Sequence, residues 1–327
     1  MILRDKTIFV AGASGMVGRS VVSALADRGC SRILMPTSAV VDLTDQTATR
    51  EFFRSASPDI VVLAAATAGG IGFQGEQPAD VLQRNLLIQS NTIHAAHEAE
   101  VEKLVFIASA CVYPRDASQP MREDKILTGA LEPSVEAYAV AKIAGIKLCE
   151  NYYRQYRRNF FSLTPPNLYG HNDKFGIDSG HVIPSLIDRF HRARVEGASE
   201  VTVWGTGEPR REFMHVSDLA SAIVFALETL EADSIYSQRI SHLNVGTGAD
   251  FSIRDLAHMI REIVKFDGSI KFDESMPDGV PRKLLDVERI RGLGWNHTIE
   301  LAQGLEETYS WYVTHSDSSD SRAARSR

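Results

Sequence analysis

The sequence is poor in cysteine and has no long apolar run. Its 327 residues include three cysteines, Cys30, Cys111 and Cys149, and no C-x-x-C pair. This odd set argues against a disulfide framework or a structural metal site and fits the reducing cytoplasm. No apolar segment approaches the length of a membrane span, and the charged start from Met1 to Lys6 does not resemble a signal peptide. A membrane location is therefore not expected.

The charge balance excludes a further class of protein. The net charge is −7, and the lysines and arginines are dispersed rather than clustered, so a nucleic acid partner is not expected. Apolar residues make up 44% and charged residues 24% of the chain, as in ordinary globular enzymes. The sequence therefore predicts a cytoplasmic enzyme that is large enough to bury its own core.

Short apolar segments recur along the first half of the chain, with helical patterns between them. They lie at 7–11, 32–35, 59–64, 103–108 and 160–163. Continuous apolar strands of this kind are typical of a parallel sheet that is covered by helices on both faces. The predicted fold class is α/β, a Rossmann-type doubly wound parallel sheet with a smaller C-terminal substrate-binding domain.

The pattern changes after residue 165, where two prolines are followed by a loop rich in Gly, Asn and Asp. We expect a nucleotide-binding domain over 1–165, a mainly substrate-binding domain over 166–314 and a disordered tail over 315–327. The segment 241–246 predicts a strand that returns to the sheet. The long helices predicted at 81–98 and 135–156 either only pack on the sheet or also form a dimer interface.

Three glycines separate the first strand from the first helix. Gly12, Gly15 and Gly18 have the spacing G-x-x-G-x-x-G. In this context the first glycine allows a tight turn, the second lets the backbone approach a pyrophosphate, and the third lets the helix pack closely on the strand. The free N–H groups at the start of the helix can bind the phosphates. The turn is therefore predicted to bind a dinucleotide.

The choice between NAD and NADP depends on the end of the second strand. A carboxylate there binds the ribose 2′-hydroxyl of NAD, whereas a cation binds the 2′-phosphate of NADP. The segment 35–39 has the sequence Met-Pro-Thr-Ser-Ala and contains neither group. The hydroxyls of Thr37 and Ser38 could bind a phosphate, and Arg19 or Arg32 could supply positive charge. The residues alone leave the choice open.

A serine, a tyrosine and a lysine form a predicted catalytic triad. Tyr138 and Lys142 are four residues apart, so they lie on one face of a helix. An ammonium beside a phenol lowers the pKa of the phenol, which makes Tyr138 a proton relay near neutral pH. Ser109 follows the strand 103–108 and can donate a hydrogen bond to a substrate carbonyl. The three residues together predict a carbonyl reductase.

Cys111 lies two residues after Ser109. In an extended segment the two side chains point to the same side. A thiolate there can abstract a proton from a carbon next to a carbonyl group. The alternative is a buried, inert cysteine, which is the more usual fate of a single cysteine. Without further context the two interpretations stay open.

The glycine spacing, the Tyr138–Lys142 pair and the segments 42–45 and 63–66 resemble the extended branch of the short-chain dehydrogenase/reductase superfamily. More specific motifs resemble the GDP-L-fucose synthase family, and the resemblance runs from about residue 7 to about residue 313. These motifs are 132–133, 138–147, 166–170, 180–184 (Gly-His-Val-Ile-Pro), 203–207 (Val-Trp-Gly-Thr-Gly), 211–216 (Arg-Glu-Phe-Met-His-Val) and 277–283 (Pro-Asp-Gly-Val-Pro-Arg-Lys).

The resemblance implies that the enzyme epimerises C3 and C5 of GDP-4-keto-6-deoxy-D-mannose and then reduces C4 with NADPH. It assigns Ser109, Tyr138 and Lys142 to reduction, and Cys111 as the base and His181 as the acid of epimerisation. The expected cofactor is NADP(H), the expected substrate is a GDP-sugar, and the expected assembly is a homodimer.

The same resemblance implies contacts to both ligands. Those to the cofactor are expected from Gly12, Ala13, Ser14, Gly15, Met16, Val17, Gly18, Ser38, Asp42, Leu43, Ala64, Ile107, Ser109, Lys142, Pro165, Asn167, Leu168 and His181. Those to the substrate are expected from Asn167, Arg189, Trp204, Arg211, Asp278 and Lys283. Arg and Lys can neutralise a diphosphate, and Trp204 can form an aromatic platform.

The sequence departs from the family pattern at four places. Many members have basic residues in the glycine turn and after the second strand, where this chain has Ser14 and the segment 36–38. Ala110 and Pro166 replace a serine and a threonine. Two alternatives remain: a related 5-epimerase/4-reductase such as GDP-L-colitose synthase, and a non-catalytic dinucleotide-binding regulator.

Overall fold

The computed structural model describes residues 1–69, 75–176, 181–276 and 278–323. Gly180, Pro277 and residues 324–327 of the predicted tail lie outside these ranges. The strands are β1 Ile8–Ala11, β2 Ile33–Leu34, β3 Ile60–Leu63, β4 Lys103–Ile107, β5 Phe160–Thr164, β6 Asn167–Tyr169, β7 Glu200–Trp204, β8 Arg210–His215, β9 Leu243–Asn244, β10 Asp250–Ser252, β11 Ser269–Asp273 and β12 Arg282–Lys283. The helices are α1 Met16–Asp27, α2 Gln46–Ala56, α3 Pro78–Glu98, α4 Glu136–Tyr156, α5 Val182–Glu196, α6 Val216–Thr229, α7 Ala232–Tyr236, α8 Ile253–Val264, α9 Glu288–Gly292 and α10 Leu301–Ala323.

Six parallel strands form the central sheet in the order β2-β1-β3-β4-β5-β9. Every residue of β1, β3, β4 and β5 is buried, which explains why these segments are apolar without alternation. Each fully buried Ile, Val, Leu or Phe stabilises the sheet by about 1.5–3 kcal/mol. The predicted α/β fold with a parallel sheet is confirmed, and β9 lies within the predicted return segment.

Two groups of helices cover the sheet. Helix α1 packs with α6, and helix α3 packs with both α2 and α4. Because every strand runs in the same direction, the loops after β1, β3 and β4 meet at one edge. This edge carries the glycine turn, Ala64 and Ser109. Among the described residues, no helix combines the length and apolarity needed to cross a membrane.

The second half of the chain builds a smaller unit with its own hydrophobic core. Strand β8 pairs with β10, β12 and β6, and β7 pairs with β11. Helices α5, α8 and α10 contribute Phe190, Leu256 and Leu305 to the core of this unit. Because only two residues separate the end of β5 from the start of β6, the smaller unit is attached directly beside the carboxyl edge of the central sheet.

The last described helix runs into the end of the chain, and the disorder predicted for 315–327 stays a prediction. Helix α10 continues to Ala323, into the segment 315–327 that the composition predicts as a disordered tail. The helix is anchored before this point, because the Trp311 ring stacks on Phe175 and Tyr312 is buried. A helix that is already nucleated by packing can extend through Ser, Asp, Arg and Ala at little cost in free energy.

Candidate active site

The glycine turn has the geometry that a pyrophosphate requires. Gly12 has a φ of +84°, and a Cβ atom there would lie 2.8 Å from the backbone of Ala65. A Cβ atom on Gly18 would lie 2.1 Å from the carbonyl oxygen of Gly12. At Gly15, which caps α1, a Cβ atom would meet only that same oxygen, at 3.4 Å. The turn is therefore packed at its first and third glycines and open at the second, beside the helix N-terminus, as a dinucleotide needs.

The remaining residues of the turn, Ala13, Ser14, Met16 and Val17, lie between these glycines or in the first turn of α1. Ser14 is exposed, and its carbonyl oxygen accepts a hydrogen bond of 2.9 Å from Nε of Arg19. Gly15 N–H donates to the carbonyl oxygen of Gly12 at 3.0 Å. These backbone contacts hold the turn without help from a capping side chain.

The predicted adenosine contacts lie in the loops after β2 and β3. Ser38 is exposed, and Asp42 accepts hydrogen bonds from the amide and hydroxyl of Thr44. These bonds lower the pKa of Asp42. The carbonyl oxygen of Leu43 accepts a bond from Asn91 of α3, and Ala64 N–H donates to Ala11. The loops are therefore fixed against the sheet on the side where the glycine turn lies.

Asn85 holds the loop after β3, and sequence reasoning missed it. Its amide exchanges two hydrogen bonds of 2.9 Å with the backbone of Thr67. The residue is buried on helix α3. The buried face of the predicted helix 81–98 also carries the polar residues Gln89 and Thr92, so no signal in the sequence singles out Asn85.

Lys142 is buried at the carboxyl end of β4. Its Nζ donates a hydrogen bond of 2.8 Å to the carbonyl oxygen of Ile107, and the residue is 3% exposed. The same atom lies 4.7 Å from the ring centroid of Phe106 and 5.5 Å from that of Tyr138. Burial lowers the pKa of Lys142 to about 8. The ammonium therefore lies between the strand end and the phenol ring.

The pKa of Tyr138 differs from the sequence prediction. The phenol was expected to have a lowered pKa beside Lys142, but its pKa is raised, first by burial and then by the charge of Cys111. Removal from water penalises the phenolate more strongly than the neighbouring cation favours it. Tyr138 therefore stays protonated at neutral pH, which suits a proton donor to a carbonyl oxygen.

Ser109 and Cys111 lie in one short 3₁₀ turn directly after β4. The hydroxyl of Ser109 accepts the N–H of Cys111 at 3.5 Å, and Ala110 N–H donates to the carbonyl oxygen of Pro165. The turn replaces the extended segment that the sequence predicts. Burial raises the pKa of the Cys111 thiol, while the Ser109 hydroxyl and the charges of Lys283 and Lys142 lower it. The thiol thus lies among hydrogen-bond donors and cations.

Tyr113 anchors the loop that follows Cys111. Its hydroxyl donates to Oδ1 of Asn244 at 2.5 Å and contacts Nε2 of His242 at 2.7 Å. All three side chains are buried, and burial lowers the pKa of His242 to about 3, so that this imidazole is neutral. The return strand β9 is therefore connected directly to the Cys111 turn.

Arg211 and Lys283 lie side by side on neighbouring strands. They are partners in the parallel pairing of β8 with β12. Burial lowers the pKa of both, and Glu132 opposes that shift in each. Lys283 also interacts with Cys111, and Arg211 with Asp278. The smaller unit thus brings two cations and a carboxylate to the Cys111 side of the site.

Asp278 and Glu212 fix the surroundings of these cations. Asp278 accepts hydrogen bonds from the amide and hydroxyl of Thr206, at 3.0 and 2.6 Å. Glu212 is buried and accepts the N–H groups of Thr247, Gly248 and Leu285 at 2.6–2.8 Å. Glu132 and Glu212 lie within the motifs 132–133 and 211–216 that resemble the family, but they were not predicted as site residues from the sequence.

Arg189 and Trp204 form a cation–π pair in which the guanidinium carbon lies 5.2 Å from the centre of the indole ring. Arg189 also donates to the carbonyl oxygen of Thr202 at 3.1 Å, and Trp204 is 58% exposed. An exposed indole backed by a cation can stack on a nucleotide base.

Asn167 and Leu168 lie on β6, paired with Phe213 and Met214 of β8, and Asn167 is exposed.

His181 occupies the N-cap position of α5 without a side-chain capping bond, and its side chain is half exposed. Its Nδ1 lies 3.7 Å from Oδ1 of Asp173. This contact does not itself join the imidazole to the turn at Cys111. The role of His181 in epimerisation therefore stays a prediction.

The described residues define a reductase site at the carboxyl edge of a dinucleotide-binding sheet. A half-buried phenol, an ammonium, a serine hydroxyl and a thiol converge there, and the two cations of β8 and β12 lie beside them. Within the described ranges, no group of three or more His, Cys, Asp or Glu side chains could hold a metal ion. The fold and the site define a short-chain dehydrogenase/reductase that acts on a carbonyl group.

Comparison with known proteins agrees with this class. Residues 8–246 match the NAD dependent epimerase/dehydratase family. The chain is 47% identical over 317 residues to the GDP-L-fucose synthase of Escherichia coli, and the aligned region covers 96% of this chain and 99% of the relative. It is 33% identical to the GDP-L-colitose synthase of Yersinia pseudotuberculosis, over 94% of this chain and 97% of the relative.

The fold is also similar to that of a solved GDP-D-glycero-L-gluco-heptose synthase from Campylobacter jejuni, whose structure was determined in the presence of NADPH. The two structures superimpose with a TM-score of 0.88 at 34% sequence identity. The superposition covers 94% of this chain and 98% of the other.

The chain belongs to the GDP-L-fucose synthase family.

Proposed function

We propose that the protein is a GDP-L-fucose synthase, which converts GDP-4-keto-6-deoxy-D-mannose to GDP-L-fucose by epimerisation at C3 and C5 and reduction at C4. One observation carries the proposal: the Cys111 thiol lies among Ser109, Tyr138, Lys142 and Lys283. A plain reductase needs the hydroxyl, the phenol and the ammonium, whereas a thiol beside them supplies the base that epimerisation needs. Oxidoreductase and isomerase activities would then share one pocket.

In the epimerisation half, the C4 ketone acidifies the protons on both neighbouring carbons. The Cys111 thiolate takes the proton from C3 or C5, and the electron pair moves onto the C4 oxygen. Ser109 and Tyr138 stabilise this oxygen by hydrogen bonds. His181 then returns a proton to the opposite face of the carbon, since histidine exchanges protons near neutral pH. One acid/base pair can serve both carbons because they flank the same carbonyl group.

In the reduction half, NADPH bound at the glycine turn of Gly12, Gly15 and Gly18 would supply the hydride that C4 accepts. Tyr138 donates its proton to the C4 oxygen, and the raised pKa of this phenol keeps the proton available at neutral pH. The charge of Lys142 stabilises the phenolate that remains. The Ile107 carbonyl oxygen orients the ammonium, because it accepts one of its three N–H groups.

The proposed substrate contacts belong to the smaller unit. Arg211 and Lys283 neutralise the diphosphate, Arg189 and Trp204 hold the nucleoside, and Asp278 accepts hydrogen bonds from the ligand. Burial of Arg211 and Lys283 strengthens their attraction for an anion, since screening by water is weaker there. Asn167 lies on β6, the strand that follows β5 in the chain, and its proposed role is contact with the cofactor and the substrate.

The test is product identification. The protein is incubated in D₂O with GDP-4-keto-6-deoxy-D-mannose, with and without NADPH or NADH, and the sugar is analysed by NMR. The proposal expects deuterium at C3 and C5 without a reductant and GDP-L-fucose with NADPH. Reduction to a sugar that keeps its protium at both carbons would leave only a reductase.

The alternative function, a 5-epimerase/4-reductase of the colitose type, is distinguished by the substrate that the protein turns over faster. The 3-deoxy analogue of the keto sugar lacks the C3 hydroxyl, and a colitose-type enzyme would turn it over faster than the fully hydroxylated sugar. A non-catalytic regulator would bind NADPH but give no loss of absorbance at 340 nm in a single turnover.

We further propose that the protein is a cytoplasmic homodimer. Helices α3 and α4 pack together and expose the apolar side chains of Leu87 and Val140. A two-fold axis would bring these helices against their copies and cover both residues. The three free cysteines, including the proposed base Cys111, suit a reducing compartment. Light scattering after size exclusion, compared between the wild type and Val140→Glu, tests the dimer.

A further inference from the structure

The proposed function requires NADP(H), yet the segment after β2 carries no cation for the 2′-phosphate that distinguishes this cofactor from NAD. A phosphate dianion in this position requires a positive charge or several strong donors. The hydroxyls of Thr37 and Ser38 can donate there, but a positive charge has to come from elsewhere on the adenosine side of the site. The sequence offers Arg19 and Arg32, and the structure separates them.

Arg32 lies at the wrong end of the sheet. It immediately precedes β2, and its guanidinium donates to the carbonyl oxygen of Asp5, which precedes β1. Both residues are therefore at the amino ends of parallel strands. Nucleotides bind outside the carboxyl ends, so Arg32 does not reach the cofactor.

Arg19 directly follows the last glycine of the turn. It is exposed in the first turn of α1, and its Nε donates a hydrogen bond of 2.9 Å to the carbonyl oxygen of Ser14. This bond uses one of five N–H donors and leaves four for a ligand. No carboxylate in the described part of the chain forms an ion pair with Arg19. Its charge is therefore held beside Ser14 without a partner that would neutralise it.

Arg84 is the other cation near this side, and it has a different environment. It lies on α3, close enough to Asp42 to contribute to the lowered pKa of that carboxyl group, after the hydrogen bonds from Thr44. A carboxylate beside Arg84 offsets its charge and repels a phosphate. Arg19 is the cation whose surroundings favour an anion.

We infer that Arg19, held by the Ser14 carbonyl, binds the 2′-phosphate of NADP(H) and determines the preference for NADPH over NADH. The guanidinium supplies the positive charge that a basic residue of the glycine turn supplies in many family members, where this chain has Ser14. A guanidinium can bind two phosphate oxygens at once, with its plane fixed by the bond to the turn. This inference rests on the cofactor part of the proposed function and not on the sugar chemistry.

The test is equilibrium binding without any sugar, so that its failure is distinguishable from failure of the proposed reaction. Dissociation constants for NADPH, NADH, adenosine 2′,5′-bisphosphate and 5′-AMP are measured by calorimetry for the wild type, Arg19→Ala and Arg19→Lys. The expected result for Arg19→Ala is about tenfold or more weaker binding of the two 2′-phosphorylated ligands, with the other two unchanged within about twofold. Arg19→Lys should keep part of the affinity.

Arg28→Ala is the matched control, because Arg28 ends the same helix and pairs with Glu228 at 2.6 Å. It should leave all four constants unchanged, and melting temperatures confirm that each variant is folded. Equal weakening of phosphorylated and unphosphorylated ligands by Arg19→Ala would overturn the inference, since Arg19 would then act on the whole turn. A selective loss in Arg84→Ala but not in Arg19→Ala would also overturn it.

Discussion

The ammonium of Lys142 donates a 2.8 Å hydrogen bond to the carbonyl oxygen of Ile107, the last residue of β4. This bond fixes helix α4 against the strand that leads into Ser109 and Cys111. Tyr138 lies one turn earlier on the same helix, and the centre of its ring is 5.5 Å from this ammonium. The reductive and isomerising groups are therefore positioned by the same strand–helix contact.

Replacing Tyr138 with Phe should remove the proton donor for C4 and leave the thiol in place. We expect the rate of NADPH oxidation to fall about 10²- to 10⁴-fold, while deuterium exchange at C3 and C5 continues. Absorbance at 340 nm and NMR in D₂O measure the two halves separately. Full reductase activity in this variant would show that another group donates the proton.

Replacing Cys111 with Ser or Ala should have the opposite effect. Deuterium should no longer enter C3 and C5, because a hydroxyl or a methyl group is not ionised at neutral pH. Reduction of the unepimerised ketone should persist, since Tyr138 and Lys142 are retained. If deuterium enters the sugar at the wild-type rate, Cys111 is not the base.

The two halves should depend on pH in opposite directions. Burial raises the pKa of Cys111, so the reactive thiolate becomes more abundant as pH rises, and exchange should increase by up to about tenfold per pH unit between pH 6.5 and 8.5. The pKa of Lys142 is lowered to about 8, so its charge is lost above that pH and reduction should decline. Separate initial-rate profiles for exchange and for NADPH oxidation check both signs. Parallel profiles would contradict this assignment.

Replacing Lys283 with Met should raise the pKa of Cys111, because a positive charge that favours the thiolate is removed. Alkylation by iodoacetamide at pH 7.5 should slow by about two- to tenfold. The Cys111→Ala variant supplies the blank, since Cys30 and Cys149 are buried. Arg282→Met is the matched control: the neighbouring arginine pairs with Asp250, and its loss should not change the alkylation rate.

The glycines of the turn should differ in what they tolerate. In Gly18→Ala the new Cβ atom would lie 2.1 Å from the Gly12 carbonyl oxygen, and we expect a loss of about 1–3 kcal/mol in the free energy of unfolding. In Gly15→Ala it would lie 3.4 Å from the same atom, so the fold should be retained while NADPH binds more weakly. Urea denaturation and NADPH titration separate the two effects. Equal destabilisation by both substitutions would contradict the packing described for the turn.

Much of the central sheet and of its dinucleotide turn could be predicted from local sequence. The segments around Ile8–Ala11, Ile60–Leu63 and Lys103–Ile107 are apolar because both faces of each strand are buried, and that requirement is visible residue by residue. The glycine spacing could also be predicted, because a glycine is needed where the turn and the helix approach closely. The pairing of Tyr138 with Lys142 could be predicted because residues four apart lie on one face of a helix.

The surroundings of Cys111 could not be predicted in this way. Lys283 approaches the thiol through the pairing of β12 with β8, which joins residues about seventy apart in the chain. Strand register between distant segments depends on the packing of the whole smaller unit and leaves no local pattern. Burial of Tyr138, which raises its pKa against the expectation from Lys142, is likewise a property of the assembled pocket.

The sequence by itself determined the parallel sheet, the dinucleotide turn and the order of the reductive residues, because these follow from periodicity and steric demands within one segment. Only the tertiary structure decided which charges meet the thiol, which arginine lies beside Ser14 and how strongly each acid holds its proton. Those properties depend on solvent exclusion and on contacts between distant segments, and neither is written in any single stretch of the chain.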